Sequence, residues 1–182
     1  MVKKLIGLRL SEKNIHKLEV IAHNNNQTVN SVAKNAILEW LEIISRVRQQ
    51  GMIILGKPLT SELFETMDIE NLKSMAEATA KRKVDFFQFI LGKHLNKETL
   101  DDFIKYTPKI LGANGLMWFD HIEVMREEKS LHFKGIHNIG ENWSRFLIYF
   151  FNYLMKQYFN MELVDKNVRY TKKSLYIEYK TG

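Results

Sequence analysis

The sequence predicts an α+β chain in two parts. The first is one strand followed by two helices, a unit that dimerisation has to complete. The second is an α+β domain in which helices and a mostly antiparallel sheet surround a long aromatic helix. Three observations predict this. Residues 4–10 alternate with period 2 and lead into two apolar repeats of period 3.6. The last third reads strand, strand, helix, strand, strand. Residues 143–159 hold eight of the chain's 21 aromatic residues.

In the first part, Ile6, Leu8 and Leu10 alternate with Leu5, Gly7 and Arg9, which predicts a strand over Lys4–Leu10. Ser11 stands at a helix N-cap position, with Glu12 in the first turn to complement the dipole. Ile15, Leu18, Ile21 and Ala22 give that helix one apolar face, and His23-Asn24-Asn25-Asn26 stops it. Thr28 caps a second helix, with apolar positions at Val29, Val32, Ala33, Ala36, Ile37, Trp40, Leu41 and Ile44. A lone strand leaves backbone groups without partners, and two one-sided helices close no core. A homodimer solves both problems, with Ile6, Leu8, Leu10, Val32, Ala36 and Trp40 in its core.

This order and these lengths resemble the ribbon-helix-helix family of DNA-binding proteins, the group of the MetJ, Arc and CopG repressors, over residues 2–45. The resemblance implies that two copies of the strand pair as an antiparallel ribbon and enter the major groove of double-stranded DNA. Residues on the face away from the core then meet the DNA: Lys3, Leu5, Gly7 and Arg9, with Lys4 at the ribbon's end. Arg9 suits guanine, and Lys3 and Lys4 suit phosphates. The N-terminus of the second helix, at Thr28, Val29 and Asn30, is the family's backbone anchor. Leu5 and Gly7 depart from the pattern, since family ribbons usually offer long polar side chains there. The expectation is a repressor-like transcription regulator. The alternative is a scaffold or interaction protein that keeps the ribbon for dimerisation alone.

Length and composition frame this reading. The chain has 182 residues, 45% hydrophobic, and no cysteine, so disulfides, thiolate metal sites and cysteine nucleophiles are excluded. Neither a signal-peptide segment nor a membrane-spanning apolar run is evident, which leads us to expect a cytoplasmic protein without membrane contact. Net charge is +6, and residues 1–48 carry +4 of it, eight Lys and Arg against four Glu. That suits a polyanion partner.

The sequence divides into a DNA-binding and dimerisation domain at 1–48, a junction at 49–58 and a regulatory or dimerisation domain at 59–182. At the junction, Arg46 and Arg48 suit a helix end, Gly51 suits a C′ position, and Met52–Leu55 is expected to dock on the second domain. Beyond it, Thr60 or Ser61 is expected to cap a short helix with Leu63, Phe64 and Met67. Asp68 caps the next helix, which Lys81-Arg82-Lys83 is expected to end. Phe86–Leu91 is either helical or a buried strand. Asn96 caps a helix that Pro108 breaks or restarts, and residues 112–115 form a loop.

The last third predicts strands over Leu116–Arg126 and Leu131–His137, a helix capped by Asn142 and running to about Phe159, and a second hairpin of Met161–Tyr170 with Leu175–Lys180. Arg145, Asn152 and Lys156 make the helix's narrow polar stripe, so it is apolar over most of its circumference. The leading reading is a core helix. Two others stay open: a second interface, giving assemblies beyond a dimer, and a pocket for a small-molecule effector lined by Trp143, Phe146, Phe150 and Tyr153.

Signatures of chemistry are absent. The sequence has no phosphate-binding glycine loop, GxSxG or HExxH, and the expectation is a protein that is not an enzyme and uses no cofactor. Some ribbon-helix-helix repressors sense metals, which directs attention to His121, His132 and His137. His132 and His137 are five apart and point to opposite faces of a strand, while His121 and Glu123 share one. No metal site is expected.

Overall fold

The computed structural model describes residues 7–49, 55–113 and 115–181. The chain divides into two compact units, Met1–Ile53 and Ile54–Gly182, so the division falls inside the expected junction.

The first unit is helical. Helix α1 spans Glu12–Asn24 behind Ser11, whose side chain makes no capping hydrogen bond. Asn26 takes a left-handed conformation (φ 51°) and turns the chain. Helix α2 spans Val29–Glu39, and Thr28 caps it by accepting from the Ser31 amide at 3.1 Å. The predicted regular repeat through Ile44 is broken. Trp40–Ile44 is a π-helical turn, and α3 (Ser45–Gln49) carries the chain on. Gly7–Leu10, the described part of the expected strand, has no strand partner among the described residues and is exposed. Lys3, Lys4, Leu5 and Ile6 lie outside the described residues, as do Gly51 and Met52–Ile54 of the junction. Leu55, expected to dock, is exposed.

The second unit starts earlier than expected. Helix α4 spans Lys57–Glu65 with Gly56, not Thr60 or Ser61, at its N-cap and Pro58 in its first turn, where a missing N–H costs nothing. Asp68 caps α5 (Ile69–Leu91) by accepting from the Asn71 amide at 2.8 Å. Lys81-Arg82-Lys83 does not end α5. All three are good helix formers, and Lys81 and Lys83 lie over the rings of Tyr153 and Phe86. The helix therefore runs 23 residues, takes in Phe86–Leu91, and stops at Gly92 in the left-handed region (φ 66°). Asn96 and Thr99 form a reciprocal capping box ahead of α6 (Leu100–Leu111). Pro108 sits inside α6, in its last turns.

Residues 116–120 are not strand. They fold back on the end of α6, where the Leu116 amide donates to Ile110 O at 2.7 Å and the Phe119 amide to Leu111 O at 3.0 Å. Only glycine fits at 115 there, because a Cβ would lie 2.2 Å from Ile110 O. Strands β1 (His121–Glu127) and β2 (Ser130–Ile136) form the first hairpin. Helix α7 spans Glu141–Leu154 and continues as a π-helical turn to Phe159. Its N-cap is Gly140, not Asn142, whose amide donates to the carbonyls of Phe64 and Met67 and so ties α7 to the end of α4.

The expected strand Met161–Tyr170 is split. β3 (Met161–Leu163) and β4 (Arg169–Tyr170) both pair with β5 (Ser174–Thr181), and a 3-10 turn at Asp165–Asn167 separates them. The antiparallel sheet runs β1-β2-β5-β3, with β4 also on β5. Leu131, Phe133, Leu175, Ile177 and Tyr179 form its buried face. Phe133 meets Phe151 of α7 at 4.5 Å. On α7's other side, α4 and α5 pack against it, and Ala76 and Ala80 keep α5 close. Lying between sheet and helices, α7 is apolar around most of its circumference.

Candidate nucleic-acid interface

In the first unit, the residues assigned to the DNA face fall in two groups. Gly7 and Arg9 are exposed ahead of α1; Lys3, Lys4 and Leu5 lie outside the described residues. Thr28 and Asn30 are exposed and Val29 half-buried at the start of α2. The Thr28 hydroxyl takes the Ser31 amide, and the Val29 and Asn30 amides precede it in the first turn of α2, where an α-helix leaves its donors without intrahelical partners.

The expected dimer core lies open in the single chain. Leu8 and Leu10 are exposed, Val32 is half-buried, and Ala36 and Trp40 are exposed. Ile6 lies outside the described residues. Ala22 is the buried apolar residue of the described part of this unit, while Leu8, Leu10, Ile15, Val20, Ile21, Ile37, Leu38, Trp40 and Leu41 are all exposed, Leu8 and Leu41 at 58%. The Arg48 guanidinium lies 4.8 Å from the Trp40 ring centre, a cation on the rim of that apolar set.

In the second unit, three of the four effector-pocket candidates belong to the core. Trp143, Phe146 and Phe150 are buried. Trp143 and Phe146 stack at 5.0 Å, and Phe64 meets them edge-on at 4.8 and 5.2 Å. Trp118 meets Trp143, Phe146 and Phe150 at 5.5, 5.9 and 5.1 Å. The rings occupy one another's faces, and this corrects the pocket reading for these three in favour of the core reading. Tyr153 is half-buried beneath Lys81.

The histidines separate. His121 and Glu123 share a face, as expected, and approach to 3.0 Å. His132 bonds the Tyr176 hydroxyl through Nδ1 at 2.8 Å on the outer face of the sheet. His137 is buried behind it. Among the described residues no group of three or more His, Asp or Glu side chains is arranged to hold a metal ion.

Sequence reasoning missed the contact between His137 and Ser144, because only the fold brings the end of β2 to the start of α7. His137 Nδ1 accepts the Ile139 amide at 3.1 Å, so the ring proton sits on Nε2 and is donated to Ser144 Oγ at 2.7 Å. Ser144 donates onward to Thr171 O at 2.7 Å. A nucleophile–base pair needs Nε2 to accept the hydroxyl proton. Here Nε2 donates and both groups are buried, so the pair fastens α7 to the β4–β5 turn and does not activate the serine. Burial, with the nearby Lys57 ammonium adding to it, pushes His137 down to about 4, and Asp120 opposes the shift. Lys57 also pairs with Asp120, which accepts from Asn138 as well and is held below its ordinary range.

Comparison with protein-family models, curated proteins and solved structures finds no match to this chain. The residues therefore carry the functional reading by themselves. Among the described residues no helix is long and apolar enough to cross a membrane.

A second feature that sequence reasoning missed is a row across the outer face of the sheet. Register places Lys134 of β2 and Arg169 of β4 on either side of Tyr176 of β5. Period 2 assigned each residue to a face of its own strand, but the neighbour order β2-β5-β4 was not legible, so the row was not either.

Proposed function

We propose that the chain is a dimeric DNA-binding protein, a transcription regulator that inserts a ribbon of two Lys4–Leu10 strands into the major groove. One observation carries the reading. The described N-terminal unit has almost no core of its own, and its apolar side chains are those a second copy would cover. Full burial of an exposed apolar side chain stabilises by roughly 1.5–3 kcal/mol, and covering the part of this set that shares one face, each about half exposed, favours association. Each copy then presents Arg9 to base edges and the Val29 and Asn30 amides to phosphates. The excess of basic residues in 1–48 supplies the salt-dependent part of the affinity. The C-terminal unit contributes further assembly, protein contact or effector response without enzymatic chemistry.

The test is fluorescence anisotropy with the DNA upstream of the protein's own coding sequence and with scrambled DNA, at low and physiological salt. The upstream DNA is expected to bind on the order of 10³-fold tighter at physiological salt. Arg9→Ala is expected to weaken that binding at least tenfold while leaving the dimer intact in sedimentation. Failure to bind either DNA at low salt would sink the reading.

A second reading has its own support in the ribbon. Leu5 and Gly7 offer no side-chain hydrogen bonds to bases, which favours a scaffold whose ribbon only dimerises. It expects a dimer in sedimentation, no DNA preference, and no functional effect of Arg9→Ala.

A further inference from the structure

The outer face of the C-terminal sheet carries a second feature that points to a ligand. Lys134, Tyr176 and Arg169 are direct cross-strand neighbours on β2, β5 and β4. The two cations therefore stand two strand spacings apart, about 10 Å at the backbone, with an aromatic ring between them. These residues line a concavity of about 680 Å³ together with Ile136, Asn167 and Ser174. That volume lies within the roughly 300–1,000 Å³ range of small-ligand sites.

The ring is held in place. The Tyr176 hydroxyl meets His132 Nδ1 at 2.8 Å, and the two rings lie nearly parallel, 29° apart. Among the described residues neither Lys134 nor Arg169 forms a salt bridge. Glu123 stands opposite Lys134 in register and feels its charge, and Glu178 and Glu127 act on the Tyr176 hydroxyl, which Arg169 opposes. Glu123 pairs with His121. Glu178 accepts from Asn167 and pairs with Lys180 at 3.6 Å. Residues 166–174 add Lys166, Lys172 and Lys173 and contain no acid.

We propose that this face binds a nucleotide unit, with the base stacked on Tyr176 and the phosphate held between Lys134 and Arg169. Stacking on an aromatic ring flanked by cations is how sheet faces and grooves hold unpaired bases, and it tolerates any base because every base has a π-face. The unit comes either as a free nucleotide or as part of a single strand. The site is separate from the ribbon and does not rest on the reading of the N-terminal unit.

The experiment uses the full chain and two probes: AMP by titration calorimetry and fluorescein-labelled oligo(dT) by anisotropy. At least one probe is expected to bind; AMP alone identifies a free nucleotide, and the oligomer alone identifies a strand. Binding is expected to fall at least tenfold in Lys134→Gln/Arg169→Gln and in Tyr176→Leu, to survive in Tyr176→Phe, which keeps the ring, and to survive in Arg9→Ala, which removes the ribbon's base reader. All four variants are checked for an unchanged thermal transition; the exposed double variant keeps the test valid if Tyr176→Leu unfolds. Four outcomes would overturn the proposal: neither probe binds, the double variant binds as the native chain does, Arg9→Ala alone abolishes binding, or inorganic phosphate or polyglutamate displaces the probe as well as AMP does. The last would mean a site for anions or acidic partners without base recognition.

Discussion

The two units of this chain solve the problem of burial in opposite ways. The C-terminal unit encloses its apolar residues. Phe87, Phe103, Phe119, Phe133, Phe150 and Phe151 are wholly buried, and sheet, α7 and the α4–α5 layer share one core. The N-terminal unit wears its apolar residues outside, with Trp40 46% exposed. Both have helices with regular apolar spacing. The difference teaches that amphipathic periodicity predicts a helix and its sticky face but does not say whether the covering partner lies in the same chain.

Three experiments can break or sharpen this contrast. The largest effect is expected inside the C-terminal core. Phe133 lies between Phe151 at 4.5 Å and Tyr179 at 5.8 Å, so Phe133→Ala should cost about 3–5 kcal/mol in denaturant unfolding at any protein concentration. Next comes pH. His137 binds a proton near 6.5 when unfolded but only at about 4 when folded. Between these values the unfolded state holds more protons, so the C-terminal unit should keep full stability above 6.5. It should lose on the order of 2–3 kcal/mol as pH falls from 6.5 to 4. The shift of Asp120 acts below this window, in the carboxylate range. Emission from Trp118 and Trp143 during unfolding reads the effect, and a flat profile over that range would refute the assignment. The smallest effect is expected at Trp40. Trp40→Ala should weaken the dimer by about 2 kcal/mol, roughly 30-fold in sedimentation, with Phe133-dependent stability untouched. If Trp40→Ala instead leaves association unchanged, the exposed apolar set around the end of α2 is not a dimer core.

Much of this architecture was legible residue by residue. Thr28 and Asp68 announce their helices because a short acceptor side chain ahead of an apolar repeat has one good use. The hairpin β1–β2 follows from period 2 around a polar turn. The failures share a cause, which is that a local signal was decided by a distant partner. Lys81-Arg82-Lys83 looks like a helix end until the stems of Lys81 and Lys83 find Tyr153 and Phe86. Asn142 looks like a cap, yet its amide is used by α4. Residues 116–120 alternate like a strand but are tied to the end of α6. The candidate sites divide the same way. Arg9 and the start of α2 are named through the family resemblance, whereas Tyr176 with Lys134 and Arg169 required the crossover that sets β2 beside β5.

The 3-10 turn at Asp165–Asn167 has a bearing on solubility. A straight ten-residue strand from Met161 to Tyr170 would present a long row of open amides and carbonyls at the sheet's margin, ready to recruit any extended chain. The turn leaves stubs of three and two residues, too short to template such recruitment, and sets Asn167 on Glu178. The interruption removes one long open edge and leaves β1 as the sheet's full-length margin.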